Sequence, residues 1–494
     1  MVSATQSPAF DNSYARLPAQ FFERQSPVAV AGPKLVRLNE PLARELGFDP
    51  AARSSEDWAQ IFSGNALLPG TAPLAMAYAG HQFGNFVPQL GDGRALLLGE
   101  VIDRHGIRRD IQLKGAGRTP FSRGGDGRAA IGPVLREYIL SEAMHALGVP
   151  ATRALAAVTT GEPVYRENVL PGAVLTRVAK SHIRVGTFQY FAARGDMEAV
   201  RALADYVIER LYPELGGSEN RYLDLVEAVS ARQARLVARW LAIGFIHGVM
   251  NTDNMALAGE TIDFGPCAFL DEYDPTKVFS SIDQFGRYAY GRQPHIAQWN
   301  IARLAETMLP LIDDDEERAI ARATSVVEQF VRHYNGAFVG EMRSKIGLQD
   351  EQDDDLSLIQ RLLELMQESK ADYNTTFRAL CSAASPDGAA GLHAQLGEGD
   401  GIAGWLEQWR RRLEAEGVSA ALASERMEAI NPLYIPRNHL VEEVIAAAEQ
   451  RDDFGPFEAL LERVTRPFEP QPDSGHYADP ARPDERVMRT FCGT

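Results

Sequence analysis

Two short stretches decide how this chain is read: His247-Gly248-Val249-Met250-Asn251-Thr252-Asp253-Asn254 and, shortly after it, Thr261-Ile262-Asp263-Phe264-Gly265. The first follows an amphipathic pattern over 222–244, which predicts a long helix ending at a turn rich in oxygen-bearing side chains. The second reads as a short strand that enters a turn at its aspartate. Asn254 and Asp263 form a candidate metal pair, because amide and carboxylate oxygens are the ligands that Mg²⁺ and Mn²⁺ prefer. Upstream, Arg109-Asp110-Ile111-Gln112-Leu113-Lys114 predicts a strand, with Ile111 and Leu113 on one face and Gln112 and Lys114 on the other. Glu137 lies in a pattern that predicts a helix over 132–144, opened by Gly132-Pro133 and stopped by Gly148-Val149-Pro150. A lysine or a glutamate alone is an ordinary surface residue; the information lies in the succession.

That succession resembles the one in protein-kinase-like folds. There a strand lysine steadies nucleotide phosphates, a helix glutamate positions the lysine, and an Asn and the Asp of Asp-Phe-Gly hold the metal. The expected fold is therefore α+β and two-lobed: an N-terminal extension over 1–80, a small lobe over 81–180, a helical lobe with the metal site over 181–346, and a further helical region and tail over 347–494. Two departures matter. Counting from His247, the position of a kinase's catalytic aspartate holds Val249, which cannot accept a hydroxyl proton. An aspartate appears instead at Asp253. The glycines are also displaced: only Gly91-Asp92-Gly93-Arg94 precedes the lysine strand, whereas five glycines in fourteen residues follow it, over 115–128. Such a stretch predicts a loop built for close backbone approach.

Elsewhere, apolar runs flanking Gly91-Asp92-Gly93 predict a hairpin of 86–90 with 95–101. Further strands are expected at 155–158, 172–178, 255–257 and 261–263. Helices are expected at 197–211, 296–311, 316–347, 356–368, 372–380 and 404–416, with an acidic solvated segment over 350–355.

Composition bounds the partners. The 494 residues are 45% hydrophobic and 24% charged, with no run long and apolar enough to span a bilayer. The N-terminal segment has neither a signal-peptide nor a transit-peptide profile, so the expected compartment is the cytoplasm and no membrane partner is expected. A net charge of -17 argues against nucleic acid as a partner. It leaves room for a small nucleotide in a local basic pocket, and Lys and Arg do cluster between Arg94 and Arg184. Three scattered cysteines, Cys267, Cys381 and Cys492, make neither a zinc site nor a disulfide scaffold.

Several longer motifs extend the resemblance over nearly the whole chain. They are Phe10-Asp11-Asn12-Ser13-Tyr14, Tyr78-Ala79-Gly80-His81-Gln82-Phe83-Gly84, Gln112-Leu113-Lys114-Gly115-Ala116-Gly117, Gly125-Asp126-Gly127-Arg128, Asn251-Thr252-Asp253-Asn254, Asp263-Phe264-Gly265-Pro266 and Asn431-Pro432-Leu433-Tyr434-Ile435-Pro436-Arg437-Asn438. With these the chain resembles the selenoprotein O family, pseudokinases that transfer AMP from ATP to protein hydroxyls. The resemblance implies an ATP flipped relative to kinases, its α-phosphate facing the attacking hydroxyl. It implies nucleotide contacts at Gly91, Gly93, Arg94, Lys114, Asp126, Gly127, Arg177 and Arg184, with Glu137 as partner of the lysine. Asp253 matches the general base, and Asn254 with Asp263 the ligands of Mg²⁺ or Mn²⁺. The implied partners are ATP and proteins bearing Ser, Thr or Tyr hydroxyls. UMP transfer from UTP with Mn²⁺, or a non-catalytic nucleotide-binding scaffold, are the alternatives. The family also places a Cys or selenocysteine third from the C-terminus, the position of Cys492, and the resemblance implies a redox-sensitive disulfide whose candidate partner is Cys267.

Overall fold

The structure, a computed structural model, describes residues 7–491. Strands β1 (Phe22–Arg24), β2 (Lys34–Leu38), β3 (Leu74–Met76), β4 (Gly80–Gln82), β5 (Asn85–Val87), β6 (Ala95–Ile102), β7 (Arg108–Lys114), β8 (Ala129–Ala130), β9 (Arg153–Tyr165) and β10 (Val169–Ala179) build the first part of the chain. All except β4 and β5 belong to one antiparallel sheet ordered β1-β3-β6-β7-β10-β9-β2, with β8 paired to β10. The stretch expected as an extension over 1–80 therefore supplies three strands of the sheet itself.

Alternation along the strands sends side chains to two apolar layers. Ile111, Leu113 and Val174 pack with Trp58 and Phe62 of the helix Ser55–Ser63. That helix is opened by a reciprocal Ser54/Asp57 cap and closed by Gly64 at φ +89°, a conformation that favours glycine. On the other face Ala173 and Leu175 pack with Leu135 and Ile139 of the helix Ile131–Ala146. The outer side of that helix is covered in turn by Val441, Val444, Phe457 and Leu460 from the helices Asn438–Arg451 and Gly455–Val464. The C-terminal region thus returns to the sheet.

Beyond the sheet the chain is mostly helical. Met197–Leu211, Arg221–Ala242, Gln293–Ile312 and Glu316–Lys345 bury one extended core, to which Asp355–Glu368, Tyr373–Ala383 and Asp400–Ala415 add their apolar faces. The motif near residue 434 is the joint between these parts. Asn431 exchanges hydrogen bonds with Lys345, Arg437 pairs with Asp271 and Asp372, and Asn438 donates to the carbonyl of Phe269. Among the described residues, no helix is long and apolar enough to cross a membrane.

Two local expectations are corrected and one is extended. The 86–90/95–101 hairpin does not form: β5 pairs with β4 instead, and the chain then turns away, the amides of Leu90 and Gly91 both donating to the carbonyl of Tyr78. The strands expected at 155–158 and 172–178 are parts of one long hairpin, β9 with β10. Residues 255–257 and 261–263 form no ladder; the strand pair here is Phe245–Ile246 with Ala268–Phe269. Asp263 itself takes φ +64°, which no strand accommodates.

Candidate active site

β7 and β10 run side by side in a register that sets Gln112 opposite Arg177 and Lys114 opposite Leu175. Both polar side chains of β7 leave the apolar layer of Ile111 and Leu113, as their parity predicts; Gln112 stays buried, and Lys114 lines a cleft of about 480 Å³ between the sheet and the helical part of the chain. Gln112 Oε1 accepts from Arg177 Nε and Nη2 at 3.2 and 2.5 Å, which fixes that guanidinium. The loop after β10 brings in Arg184, whose guanidinium lies 4.7 Å from the ring centre of Tyr78.

These cations converge on Asp263. Lys114 Nζ lies 2.9 Å and Arg177 Nη1 2.7 Å from Asp263 Oδ1, while Arg184 Nη1 lies 2.6 Å from Oδ2. Glu137, reaching from its helix, takes Lys114 Nζ at 2.5 Å and Arg177 Nη1 at 3.2 Å. Burial alone would raise the Asp263 pKa, but Lys114, Arg177 and Arg184 hold it well below the usual carboxylate range. Three cations thus face two carboxylates, an imbalance that an anionic ligand such as a phosphate chain corrects.

Asp253 is held differently. Its turn is braced by the β4–β5 hairpin: the amide of His81 donates to Thr252 Oγ1 at 2.7 Å and that of Phe83 to Asn251 Oδ1 at 3.1 Å. Gly80 packs so closely that a methyl group there would overlap Asp253 Oδ1. That oxygen is buried without a hydrogen-bond partner, and Oδ2 has only a long contact of 3.4 Å from Gln82 Nε2. Burial pushes the Asp253 pKa up to about 6, against the pull of Arg184. Next to it, Asn254 Nδ2 donates to the carbonyl of Val249 at 3.0 Å, which leaves its Oδ1 as an acceptor. Asn254 and Asp263 both line the cleft, and their amide and carboxylate oxygens are hard donors of the kind that suits Mg²⁺ or Mn²⁺.

The glycines shape the mouth. Gly91 at φ +69° and Gly127 at φ +68° occupy positions where a Cβ would run into Phe121 and into the carbonyl of Gly117. Thr119 Oγ1 donates to the carbonyl of Asp92 at 2.7 Å and Ser122 Oγ to that of Gly93, folding the 115–128 loop onto the 91–94 loop. Eleven of the twelve residues expected at the site line this one cleft: Gly91, Gly93, Arg94, Lys114, Asp126, Gly127, Arg177, Arg184, Asp253, Asn254 and Asp263. Glu137 does not line it and reaches it only through Lys114 and Arg177. Asp126 sits at the rim with its carboxylate clasped by Arg166 at 2.8 and 3.0 Å.

Sequence reasoning missed Tyr78, Asp92, Gln112 and Arg166. Asp92 is buried, accepting from the amide of Met76 and from Gln112 Nε2, and burial pushes its pKa up to about 6. Gln112 and Arg177 are cross-strand partners, a signal open to anyone who had paired β7 with β10. The expected Cys267–Cys492 pairing involves Cys492, which lies outside the described residues; Cys267 is buried. Thr490 is described, and its hydroxyl donates to the carbonyl of Pro266 at 2.5 Å.

A cleft with this charge balance suits an anionic ligand, and comparison with known proteins puts the chain in the nucleotidyltransferase class. The model of a family described as protein adenylyltransferase SelO matches residues 5–465, and the chain belongs to that family. It is similar to the protein nucleotidyltransferase YdiU of Rhizobium rhizogenes (strain K84), with 62% identity over 98% of this chain and 97% of that one. The protein of the same name from Rhizobium meliloti (strain 1021) is also 62% identical, over 98% of this chain and 99% of its own. That of Rhodopseudomonas palustris (strain BisB5) is 58% identical over 98% and 99%.

Proposed function

We propose that the chain is a two-lobed, protein-kinase-like enzyme that transfers AMP from ATP to Ser, Thr or Tyr hydroxyls of proteins, itself included, releasing pyrophosphate. The observation that carries this reading is the arrangement around Asp263. Three cations converge there, the buried Asp253 has an unpartnered oxygen, and Val249 offers no base. The family's printed description and the names of the relatives support nucleotide transfer.

In this reading the triphosphate lies along Lys114, Arg177 and Arg184 with its α-phosphate towards Asp253. Gly91, Gly93 and Gly127 let backbone approach it, and Arg94 and Arg128 at the rim add charge. Asp253 takes the proton of the substrate hydroxyl as its oxygen bonds to the α-phosphorus. The bridge from the α- to the β-phosphate breaks, and the charge released onto pyrophosphate is balanced by Lys114, Arg177 and Arg184. Glu137 keeps Lys114 aimed at the phosphates. Asn254 and Asp263 would hold Mg²⁺ or Mn²⁺, which when bound neutralises phosphate charge.

The test uses ATP labelled separately on the α- and γ-phosphates, with either metal, and a parallel reaction with α-labelled UTP. Label on protein from the α-position is expected. Label from the γ-position alone would sink AMP transfer, and faster labelling from UTP with Mn²⁺ would change the transferred group to UMP.

A further inference from the structure

Beside the cleft lies a second hollow of about 740 Å³, formed by residues 282–296 and the β4–β5 turn; Phe83 and Ile282 line both. Its floor and lip are apolar and open. Phe285 is 90% exposed and Ile282 58% exposed, and Phe86 on the neighbouring strand β5 is 40% exposed. Large apolar side chains grouped in this way beside a reaction site mark a surface that something covers.

The loop that presents them is braced. Asp283 accepts the amides of Arg287 and Tyr288 at 2.9 and 2.8 Å, and Arg292 Nη1 donates to the carbonyls of Phe285 and Gly286 at 3.3 and 3.1 Å. On its far side the backbone of Ser281 donates to Thr490 at 3.0 Å, and Thr490 donates to Phe279 at 2.8 Å. The exposure of Phe285 is thus a property of an anchored turn.

The rim is cationic, in a chain whose net charge is -17. Arg287, Arg292 and His295 line the hollow, and its one carboxylate, Asp283, is engaged by the two backbone amides. Arg287 stacks on Trp299 at 4.8 Å, makes no ion pair with a carboxylate among the described residues, and buries its Nε without an acceptor. The hollow is also tied to the chemistry: Tyr288 OH donates to Asn251 Oδ1 at 2.6 Å, the same oxygen that takes the amide of Phe83. A chain seated here runs alongside the turn that holds Asp253.

We propose that this hollow is the docking surface for the protein substrate, taking an acidic segment whose apolar side chain packs on Ile282 and Phe285. Carboxylates of that segment meet Arg287 and Arg292, and its hydroxyl-bearing residue enters the cleft through the opening shared at Phe83 and Ile282. The proposal rests on the transfer reaction proposed above and names the kind of protein that reaction acts on.

The test uses the full chain, α-labelled ATP and three short synthetic peptides with one serine each. The first carries a leucine and two glutamates, the second a leucine and two lysines, and the third the glutamates without the leucine. With the unaltered chain the first peptide is labelled about tenfold faster than either of the others. Phe285→Ser and, separately, Arg292→Glu remove that preference while ATP affinity, measured by calorimetry, stays unchanged. Equal rates for all three peptides, with label still reaching the chain itself, overturn the docking surface and leave the transfer reaction standing. Absence of label on both chain and peptides overturns both. If Phe285→Ser instead turns a sedimenting dimer into a monomer without altering peptide rates, the surface belongs to a second copy and the proposal is wrong.

Discussion

The same face of β7 carries Lys114, Gln112 and Asp110, and the two ends of that face meet very different surroundings. At the Lys114 end, three cations gather round Asp263 and Glu137 and open onto the cleft. At the Asp110 end, Arg210 and His182 close over the carboxylate: Arg210 Nη2 lies 2.5 Å away, and the His182 amide donates at 2.8 Å. Glu100 lies beside them, taking the amide of Tyr14 at 2.6 Å and contacts of 3.2 Å from both Arg108 and Arg210. Arg108 in turn pairs with Asp11. Here the buried carboxylates Asp110 and Glu100 meet Arg210 and Arg108, the half-exposed Asp11 is shared by Arg108 and Arg16, and burial pushes the His182 pKa down to about 4 and keeps its ring neutral. The inner cluster ties the N-terminal segment, the segment before Arg184 and the helix Met197–Leu211 together, around the buried Asp110, Glu100 and His182. An excess of cation facing a cleft and a set of carboxylates matched by arginines are the two outcomes of placing charges on one strand. The first calls for an anion; the second is satisfied from within.

The sharpest break is Asp263→Ala. It removes the proposed metal ligand and leaves Lys114, Arg177 and Arg184 without their shared carboxylate, so label transfer from α-labelled ATP is expected to fall by about 10²–10³ or more. Retained activity would contradict the metal assignment. Arg210→Met addresses the inner cluster. Removing one partner of a buried pair strands Asp110 and costs about 3–5 kcal/mol, read as a lower denaturant midpoint, with the nucleotide cleft unaltered in the remaining folded protein. A smaller effect concerns pH. His182 titrates at about 4 when folded and 6.5 when exposed, so between those values the unfolded chain holds the extra proton. Its contribution is therefore complete above pH 6.5 and is lost as pH falls towards 4. His182→Gln should flatten this window by at most about 1.4 kcal/mol per pH unit, checked by urea unfolding across it. Val249→Ala, which removes a side chain with no proton to move, should change transfer less than about threefold in the same labelled-ATP assay.

How much of this was legible beforehand depends on range along the chain. Lys114, Glu137, Asn254 and Asp263 announce themselves through local patterns: a strand end, a helix face, a turn. The helix Met197–Leu211 carries its own start signal, Asp196 capping the amide of Ala199, and falls where its periodicity predicts. The β4–β5 hairpin was misread because Phe86-Val87 looks as apolar as any strand. What redirects it is the turn at Thr252, far away in sequence, which supplies the partner for His81. The roles of Tyr78 and Gln112, though both stand in the quoted motifs, were hidden for the same reason: each meets an arginine placed by another element. The inner cluster around Asp110 has no local signature at all. Its members come from five separate segments, and only the fold reveals that they meet.

The helix that carries Glu137 is clasped from outside by residues 438–464, and Arg136 on it ties the carbonyls of Gly265 and Cys267 at 3.0 and 3.1 Å to Glu442 at 3.3 Å. This makes the order of synthesis matter. A ribosome-bound chain that has already produced Lys114, Glu137 and Asp263 still exposes the apolar back of that helix until residues 438–464 emerge. Competence for transfer thus arrives late, and a truncated translation product would carry the cleft residues without the brace that aligns them.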